Sequence, residues 1–310
     1  MQKDAPPARA IKKVYDMTPK HHFAKEAMQA FEPAEKIGLV GCVNPDGQVH
    51  LTLITSIMAP GPGQLTLGQF CMGLSKWYMQ MNPHVGFLVM TMDRRLWRGK
   101  ARWTHKRTEG PEYEVYNEIP MFRYNTYFGI NTVHYLDLVE TYGKEKLPMG
   151  KIVPAAVATR IARGKAAPRE KERILKPFAQ NLFDKLDSLK FISYLGGDGF
   201  PVIIPAIQCQ TAGSRRIVFS ARPYADELGV IEKGAAVTVL GLNLKMQSVL
   251  VRGTFQGFRK MRLTTLGILD IDWVYNSMPP SHGQIYPEVK LEPVTAFQMD
   301  RATGNQKIRT

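Results

Sequence analysis

The sequence has little cysteine and no long apolar segment. Its three cysteines, Cys42, Cys71 and Cys209, are too few for a disulfide framework or a four-cysteine metal site, which indicates a reducing compartment such as the cytoplasm. No stretch approaches the roughly 20 consecutive apolar residues that a membrane-spanning helix needs. The first residues carry basic side chains but no apolar core, so no secretory signal is predicted. We therefore expect a cytoplasmic protein with no membrane partner.

The motifs of several common enzyme classes are missing as well. No Gly-x-Gly-x-x-Gly pattern follows a predicted strand and opens a helix, which argues against a dinucleotide-binding Rossmann domain. The Gly-x-Ser-x-Gly elbow of many serine hydrolases is absent too. The seven histidines form no His-Glu-x-x-His or related pair, so we expect no zinc site and assign no metal ligand.

Acidic residues are scarce relative to basic ones. The 41 lysines and arginines exceed the 27 acidic residues by 14, so the chain should attract anions. Half of this excess, a net charge of +7, lies between Lys144 and Lys190. That segment matches no helix-turn-helix, zinc-finger or RNA-recognition pattern, and its charges alternate with apolar residues at helical spacing. We therefore predict amphipathic helices whose apolar stripe includes Phe178 and Phe183, and no nucleic-acid partner.

The sequence does contain an internal repeat. Two β-rich runs, KIGLVGCVNPDG from Lys36 and KFISYLGGDG from Lys190, each end in an Asp-Gly turn signal. Each run is followed by two further apolar runs, a short helical stretch, a β run and a long strand. The glycines of the two turns are 152 residues apart, and the Arg-Gly pairs that begin at Arg98 and Arg252 are 154 apart. These nearly constant separations predict two copies of one β-β-β-α-β-β unit.

The repeat divides the chain into four predicted regions. The turns within each copy are too short for helical crossovers, so the strands should pair antiparallel. Between the copies, an aromatic-rich stretch begins with helical spacing, and a basic stretch reads as two helices separated near Gly164 and Pro168. The predicted regions are an arm over 1–25, a first copy with a helical extension over 26–143, a basic connector over 144–189, and a second copy with a tail over 190–310.

The repeated unit resembles the FMN-binding split β-barrels of the pyridoxamine 5'-phosphate oxidase-like superfamily. The resemblance is closest over Lys36–Trp103, where Gly73-Leu74-Ser75-Lys76 follows the third predicted strand and Asn82-Pro83 ends the next helix. The second copy, Lys190–Phe258, has Ser220-Ala221-Arg222 in the corresponding place and no Asn-Pro pair. The resemblance implies a mainly β protein with additional helices (α+β), built as two antiparallel split β-barrels in tandem with a helical connector.

The segment between the third predicted strand and the helix is the candidate binding site. A glycine-containing turn that opens a helix presents unpaired N–H groups and the positive end of the helix dipole to an anion. Ser75 would add a hydroxyl donor and Lys76 a positive charge suited to phosphate; the alternative is an ordinary helix cap and a solvated lysine. The predicted cofactor-binding residues are Gln69, Phe70, Cys71, Gly73, Leu74, Ser75 and Lys76 in the first copy, and Ser220 and Arg222 in the second.

The resemblance implies FMN as the cofactor. In this superfamily FMN lies between two barrels, so two copies in one chain would form that interface internally as a monomeric pseudo-dimer; a homodimer stays open. Because the first copy has the better phosphate segment, we expect one of the two related sites to have degenerated. The implied function is a flavin-dependent oxidoreductase of unknown substrate with a small-molecule redox partner. No catalytic side chain is assigned, because the flavin carries the chemistry.

Two alternatives stay open. Related split barrels bind deazaflavins or haem, and a haem binder would need an axial ligand, for which His134 and His282 are the candidates. A non-catalytic binding protein on the same scaffold is the other alternative, because a fold does not determine an activity. Pyridoxamine phosphate oxidation itself is not expected, since the segment from His282 onward lacks the Arg-x-His-type motif of that enzyme.

Overall fold

The computed structural model describes residues 18–124, 129–169, 172–245, 247–262, 264–276 and 283–287. These residues form sixteen strands and seven α-helices. The strands make two antiparallel sheets of eight strands each. None of the helices in this part of the chain is long and apolar enough to span a bilayer. The predicted mainly β architecture with additional helices is confirmed.

The first sheet and its helices occupy the N-terminal half of the chain. Its strands are β1 (Lys36–Val43), β2 (Val49–Leu53), β3 (Ile57–Gly61), β4 (Gln64–Gln69), β5 (His84–Thr91), β6 (Arg95–Arg107), β7 (Thr132–Thr141) and β8 (Glu145–Lys146). Its helices are α1 (Lys25–Phe31), α2 (Leu74–Met81), α3 (Pro111–Glu118) and α4 (Pro120–Tyr124). The strands are hydrogen-bonded in the order β2-β1-β5-β6-β7-β4-β3, and β8 pairs with β6.

The second sheet repeats this order strand for strand. Helices α5 (Met149–Ala162) and α6 (Pro177–Asp184) connect the two sheets, and α7 (Ala225–Leu228) belongs to the second. The strands are β9 (Leu189–Leu195), β10 (Pro201–Pro205), β11 (Gln210–Thr211), β12 (Arg216–Phe219), β13 (Ala236–Leu242), β14 (Ser248–Met261), β15 (Thr264–Asn276) and β16 (Gly283–Tyr286). Their order is β10-β9-β13-β14-β15-β12-β11, with β16 paired to β15.

Both Asp-Gly turns form as their sequences predict. Gly47 has a φ of +73° and Gly199 a φ of +79°, a backbone region that favours glycine. In the first turn the side-chain oxygen of Asn44 accepts a hydrogen bond of 2.7 Å from the Gln48 N–H. These turns connect β1 to β2 and β9 to β10.

The central strands are apolar on both faces because each face meets a different core. Side chains alternate between the faces of a strand. In β1, Val40 and Cys42 join a core enclosed by the first sheet, whereas Ile37 and Leu39 join a core shared with the second sheet. The enclosed core also receives side chains from β3, β4, β5, β6 and β7, so the sheet curves around it as a barrel. Since β2 and β3 end the path without pairing to each other, the barrel is split.

The two barrels meet through a shared apolar core and close backbone contacts. The core combines residues of both barrels, including Leu39, Leu88 and Leu96 of the first and Phe191, Ile203 and Leu240 of the second. At Gly86 a Cβ atom would lie 2.2 Å from the carbonyl oxygen of Pro201. Thr238 lies 152 residues after Gly86, and Val49 lies 152 residues before Pro201. The Thr238 hydroxyl donates a 2.7 Å hydrogen bond to the Val49 carbonyl. The two contacts are therefore related by the internal repeat.

Three strands of each barrel were not predicted. The β-β-β-α-β-β pattern omits β3, β7 and β8 and their counterparts β11, β15 and β16. The segment that contains β7 starts with the predicted helical character, in α3 and α4, but its last part forms a strand. Polar residues such as His134, Asp137 and Glu140 interrupt the apolar pattern of β7. It becomes a strand because it pairs along both edges, with β6 and β4.

The basic connector contains two helices, α5 and α6, as predicted. The predicted amphipathic pattern is wrong for α5, which buries Ile152 but exposes the apolar side chains of Val153, Val157 and Ile161. Helix α6 buries Ala179, Leu182 and Phe183. The predicted place of Phe178 in the apolar stripe is wrong: it lies in the first turn, at the edge of that face, and is 43% exposed. Residues 1–17 of the predicted arm and the tail beyond 287 lie outside the described residues.

Candidate functional site

The turn between β4 and α2 carries most of the predicted binding residues. Gly73 precedes the helix in extended conformation, and no side chain caps the helix. The N–H groups of Leu74 and Ser75 open the first turn, where a helix offers them no acceptor. Ser75 is buried, and its hydroxyl has no hydrogen-bond partner among the residues that the structure describes. Two N–H groups and one hydroxyl are therefore available to an anion at this helix start.

The ammonium group of Lys76 lies beside this turn without a counter-ion. It forms no ion pair or hydrogen bond with any described residue, and its side chain is only partly exposed. Burial lowers the pKa of Lys76, while the nearby Cys71 and Cys42 thiols act in the opposite direction. The interpretation of Lys76 as a solvated surface residue is therefore wrong. Lys76 therefore carries a partly buried positive charge with no counter-ion among the described residues.

Gln69 takes part in a hydrogen-bonded chain behind the turn. The indole N–H of Trp103 donates to Nδ1 of His134 over 3.1 Å, so Nε2 of His134 carries the proton and faces Oε1 of Gln69 at 2.8 Å. Burial, followed by the charges of Lys76 and Lys106, lowers the pKa of His134 to about 3. A neutral His134 with both ring nitrogens engaged has no free lone pair for an axial haem ligand. The other candidate, His282, lies outside the described residues.

Phe70 and Cys71 have different surroundings in this turn. The Phe70 ring packs edge-on against Phe122 of α4 at 6.0 Å, and its carbonyl accepts a hydrogen bond from the Asn131 side chain. Phe70 thus connects the turn to the helical extension of the first barrel. Cys71 is exposed, and it lies close enough to Lys76 to act on the pKa of that lysine.

An aromatic cluster contributed by both barrels lies across from α2. The His50 ring, in β2, contacts Tyr78 of α2 at 5.5 Å and Tyr275 of β15 at 5.4 Å between ring centroids. Trp273 and Tyr275 project from the same face of β15 and lie parallel, 5.4 Å apart with an interplanar angle of 2°. The cleft between the barrels therefore has a cationic side at Lys76 and an aromatic side on the second barrel.

Arg252 of β14 completes the aromatic side. Its guanidinium lies 4.6 Å from the centre of the Trp273 ring. Its Nε is buried without a hydrogen-bond partner, and no described carboxylate forms an ion pair with it. Burial lowers the pKa of Arg252, and Asp272, Tyr78 and Asp46 oppose this only through longer-range attraction. We name the set His50, Lys76, Tyr78, Arg252, Trp273 and Tyr275 the interbarrel cluster.

The related place in the other half of the chain is arranged differently. Ser220 is buried there and its carbonyl accepts a hydrogen bond from Gln208, whereas Arg222 is exposed. The arginine equivalent to Arg252 is Arg98, which is 2% exposed. Arg98 forms ion pairs of 2.8 Å with Glu145 and 2.5 Å with Glu227. Ser220 and Arg222 therefore lie beside a compact ion-pair network rather than beside an unpaired cation.

Comparison with known proteins gives matches among solved structures. No family model and no curated protein matches the chain. An FMN-binding protein from Syntrophomonas wolfei is 15% identical, with a TM-score of 0.33, over 37% of this chain and 82% of that one. A protein from Lactobacillus delbrueckii whose description names pyridoxamine 5'-phosphate oxidase is 14% identical, with a TM-score of 0.31, over 40% and 95%. An F420 reductase is 14% identical, with a TM-score of 0.31, over 38% and 97%.

Each match spans about two fifths of this chain and most of the other chain.

Sequence reasoning did not find the second-barrel side of the cleft. The repeat includes Arg252, but the sequence does not decide whether its side chain points to the barrel rim or to solvent. His50, Trp273 and Tyr275 were not among the predicted site residues. Alternation in LDIDWVYN places Trp273 and Tyr275 on one face of a strand, which was an available signal. That this face meets α2 depends on contacts between residues about 200 positions apart in the sequence.

The described residues contain no other comparable set of functional groups. No three of their His, Cys, Asp and Glu side chains are placed to hold a metal ion. A cavity of about 430 Å³ lies away from the cleft, between α1, β3 and α3. Its lining is mainly apolar, with Lys25, Glu32 and Glu112 among its polar groups.

Acid is expected to destabilise the protein through its two buried histidines. Burial, with Arg252 and Lys76, lowers the pKa of His50 to about 4 from an ordinary value of 6.5, and His134 behaves in the same way. Between the lowered and the ordinary pKa, each of these histidines is protonated in the unfolded chain and neutral in the folded chain. The free energy of unfolding therefore falls as pH falls. From about pH 6.5 to about pH 5 the loss should be roughly 1.5 kcal/mol per histidine.

Urea unfolding at several pH values measures this effect. His134→Asn should flatten the pH dependence, and the control His22→Asn, at an exposed position, should leave it unchanged. An identical slope for the wild type and His134→Asn would contradict the assignment.

Proposed function

We propose that the chain binds one FMN in the cleft between its two barrels and acts as a flavin-dependent oxidoreductase. The phosphate would lie at the start of α2, beside Lys76, and the ring system against Tyr78 of the same helix. The observation that carries this proposal is the unpaired, partly buried ammonium of Lys76 beside a helix start that no side chain caps.

The chemistry of this turn suits a phosphate group. A phosphate monoester carries up to two negative charges and several acceptor oxygens, which match the free N–H groups of Leu74 and Ser75 and the Ser75 hydroxyl. The Lys76 ammonium, which has no internal counter-ion, would gain one on binding. The Tyr78 ring offers a flat surface that a planar ring system can contact.

The difference between the two halves of the cleft supports one site per chain. Where the first half leaves Lys76 and Arg252 without a carboxylate, the second half fills the equivalent space with the Arg98–Glu145–Glu227 network. The buried carboxylate of Glu145 and the partly buried one of Glu227 oppose binding of an anion at that place. The expected degeneration of one site therefore has a physical basis in Glu145 and Glu227.

Bound FMN would supply the electron or hydride transfer, and the protein would supply binding and orientation. The described residues of the cleft contribute two cations, a neutral His50 and aromatic rings. They would hold the cofactor and leave the chemistry to the flavin. A small-molecule redox partner would enter the same cleft, and the two barrels of one chain would complete the site without a second copy.

Reconstitution tests the proposal. The purified chain is incubated with FMN, and free cofactor is removed. We expect flavin absorbance bands, a cofactor with the mass of FMN on denaturation, and one FMN per chain.

Bleaching of the bound flavin by NADH or NADPH, followed by reoxidation in air, would support the oxidoreductase. A flavin that binds without redox turnover would favour the non-catalytic alternative. A Soret band would favour haem, a deazaflavin mass the deazaflavin alternative, and two FMN per chain would contradict the single site.

A further inference from the structure

Two arginines at equivalent positions of the repeat have opposite surroundings. Arg98 and Arg252 begin the two Arg-Gly pairs, 154 residues apart, on the equivalent strands β6 and β14. The residue two positions before each arginine is a leucine. In the strand pairing, Leu96 lies opposite Glu145 of β8, and Leu250 lies opposite Tyr275 of β15. The place that holds a carboxylate beside Arg98 thus holds an aromatic ring in the half that contains Arg252.

The second carboxylate partner of Arg98 is replaced in the same way. Glu227, in the short helix α7, pairs with Arg98 across the barrel interface. In the other half, Tyr78 of helix α2 is the group that approaches Arg252. Arg98 therefore has two internal carboxylates, and its pKa is raised by Glu145 and Glu227 against the effect of burial. Among the described residues, Arg252 has no carboxylate within ion-pair distance.

The surroundings of Arg252 favour one type of ligand. An arginine fork binds a carboxylate through two parallel hydrogen bonds, and the nearest acidic groups, Asp46 and Asp272, form no ion pair with it. The guanidinium lies over Trp273, whose ring is parallel to Tyr275. A positive fork beside two parallel, stacked rings matches a ligand that is flat, aromatic and negatively charged.

We propose that Arg252, together with Trp273 and Tyr275, binds the carboxylate of a planar aromatic acid, and that such acids are the substrate class of this cleft. This inference rests on the proposed function, in which Lys76 and the α2 turn hold the cofactor phosphate and leave Arg252 for the substrate. Arg252 is then the specificity-determining residue that selects anionic over neutral aromatic compounds. The net charge of +14 also attracts such acids towards the chain.

Calorimetric titration with benzoate tests the inference. Benzoate is added to the FMN-loaded chain, and benzamide, of similar shape but neutral, is the comparison ligand. We expect benzoate to bind at least ten times more tightly than benzamide. Arg252→Gln should weaken benzoate binding at least tenfold, and Arg252→Lys should retain part of it. The control Arg259→Gln, at an exposed position on the same strand, should bind benzoate like the wild type.

The cofactor is titrated separately so that the two proposals can fail independently. If Arg252→Gln loses FMN affinity as strongly as benzoate affinity, Arg252 holds the cofactor and the substrate assignment is wrong, while the flavin site stands. If the wild type takes up no FMN but the apoprotein binds benzoate through Arg252, the proposed function fails and the anion site stands. Equal binding of benzoate by Arg252→Gln and wild type, or of benzamide and benzoate by wild type, would overturn the inference.

Discussion

Replacement of Arg98 by Met is expected to lower the free energy of unfolding by roughly 3–5 kcal/mol, the usual cost of removing one partner from a buried ion pair. Arg98 is 2% exposed and neutralises Glu145 of the first barrel and Glu227 of the second. Without the guanidinium, the nearly inaccessible Glu145 carboxylate would keep a charge with no counter-ion or would have to bind a proton. The loss should also weaken the contact between the barrels, because Glu227 reaches Arg98 across their interface.

The chain provides a matched control for this variant. Arg252→Met removes the equivalent arginine, which has no carboxylate partner, and should cost only about 1 kcal/mol, as expected for a lost contact with an aromatic ring. The triple variant Arg98→Met, Glu145→Gln, Glu227→Gln removes all three charges and should regain much of the stability. Denaturant unfolding measures all three proteins, and equal losses for Arg98→Met and Arg252→Met would contradict the assignment.

Replacement of Lys76 by Ala is expected to weaken FMN binding by roughly 1.5–3 kcal/mol, the range for hydrogen bonds to charged groups. This corresponds to an increase in Kd of roughly 10- to 150-fold. The reason is that Lys76 has no internal counter-ion, so its charge is available to the ligand alone. For the same reason the apoprotein should unfold at an unchanged or higher denaturant concentration, because the variant removes a partly buried, unpaired charge.

Flavin fluorescence titration measures this effect. Lys151→Ala, at an exposed position on α5, removes a positive charge away from the cleft and should leave the Kd within about twofold, inside the range of ordinary surface substitutions. Lys76→Arg keeps the charge and should retain part of the affinity. An unchanged Kd in Lys76→Ala would place the phosphate elsewhere, with Ser220 and Arg222 as the next candidates, although the carboxylates of Glu145 and Glu227 weigh against that half.

Much of the fold follows from local patterns in the sequence. The apolar runs of β1, β5, β9 and β13 and the two Asp-Gly turns depend on neighbouring residues only, so periodicity and turn chemistry predicted them. The strands β7 and β15 were missed because the first carries polar residues and the second follows the last anchor of the repeat. β7 becomes a strand by pairing with β6 and β4, and β15 by pairing with β12 as well as with β14, its neighbour in sequence. The region boundaries from 1–25 to 190–310 stay predictions.

The candidate site divides in the same way. Gly73, Ser75 and Lys76 are adjacent in sequence, so a local motif was enough to predict a phosphate-binding turn. The sequence by itself also determined the repeat, since equal spacing of Gly47, Gly199 and the Arg-Gly pairs is a property of the chain.

Only the tertiary structure decided which arginine is neutralised. Arg98 and Arg252 have the same local sequence signature, but Glu145 lies 47 residues and Glu227 129 residues from Arg98 along the chain. Electrostatic attraction depends on distance in space, and the packing of one barrel on the other sets that distance. The same packing brings Trp273 and Tyr275 to face α2, so that Arg252 beside aromatic rings in one half corresponds to an ion-pair network around Arg98 in the other.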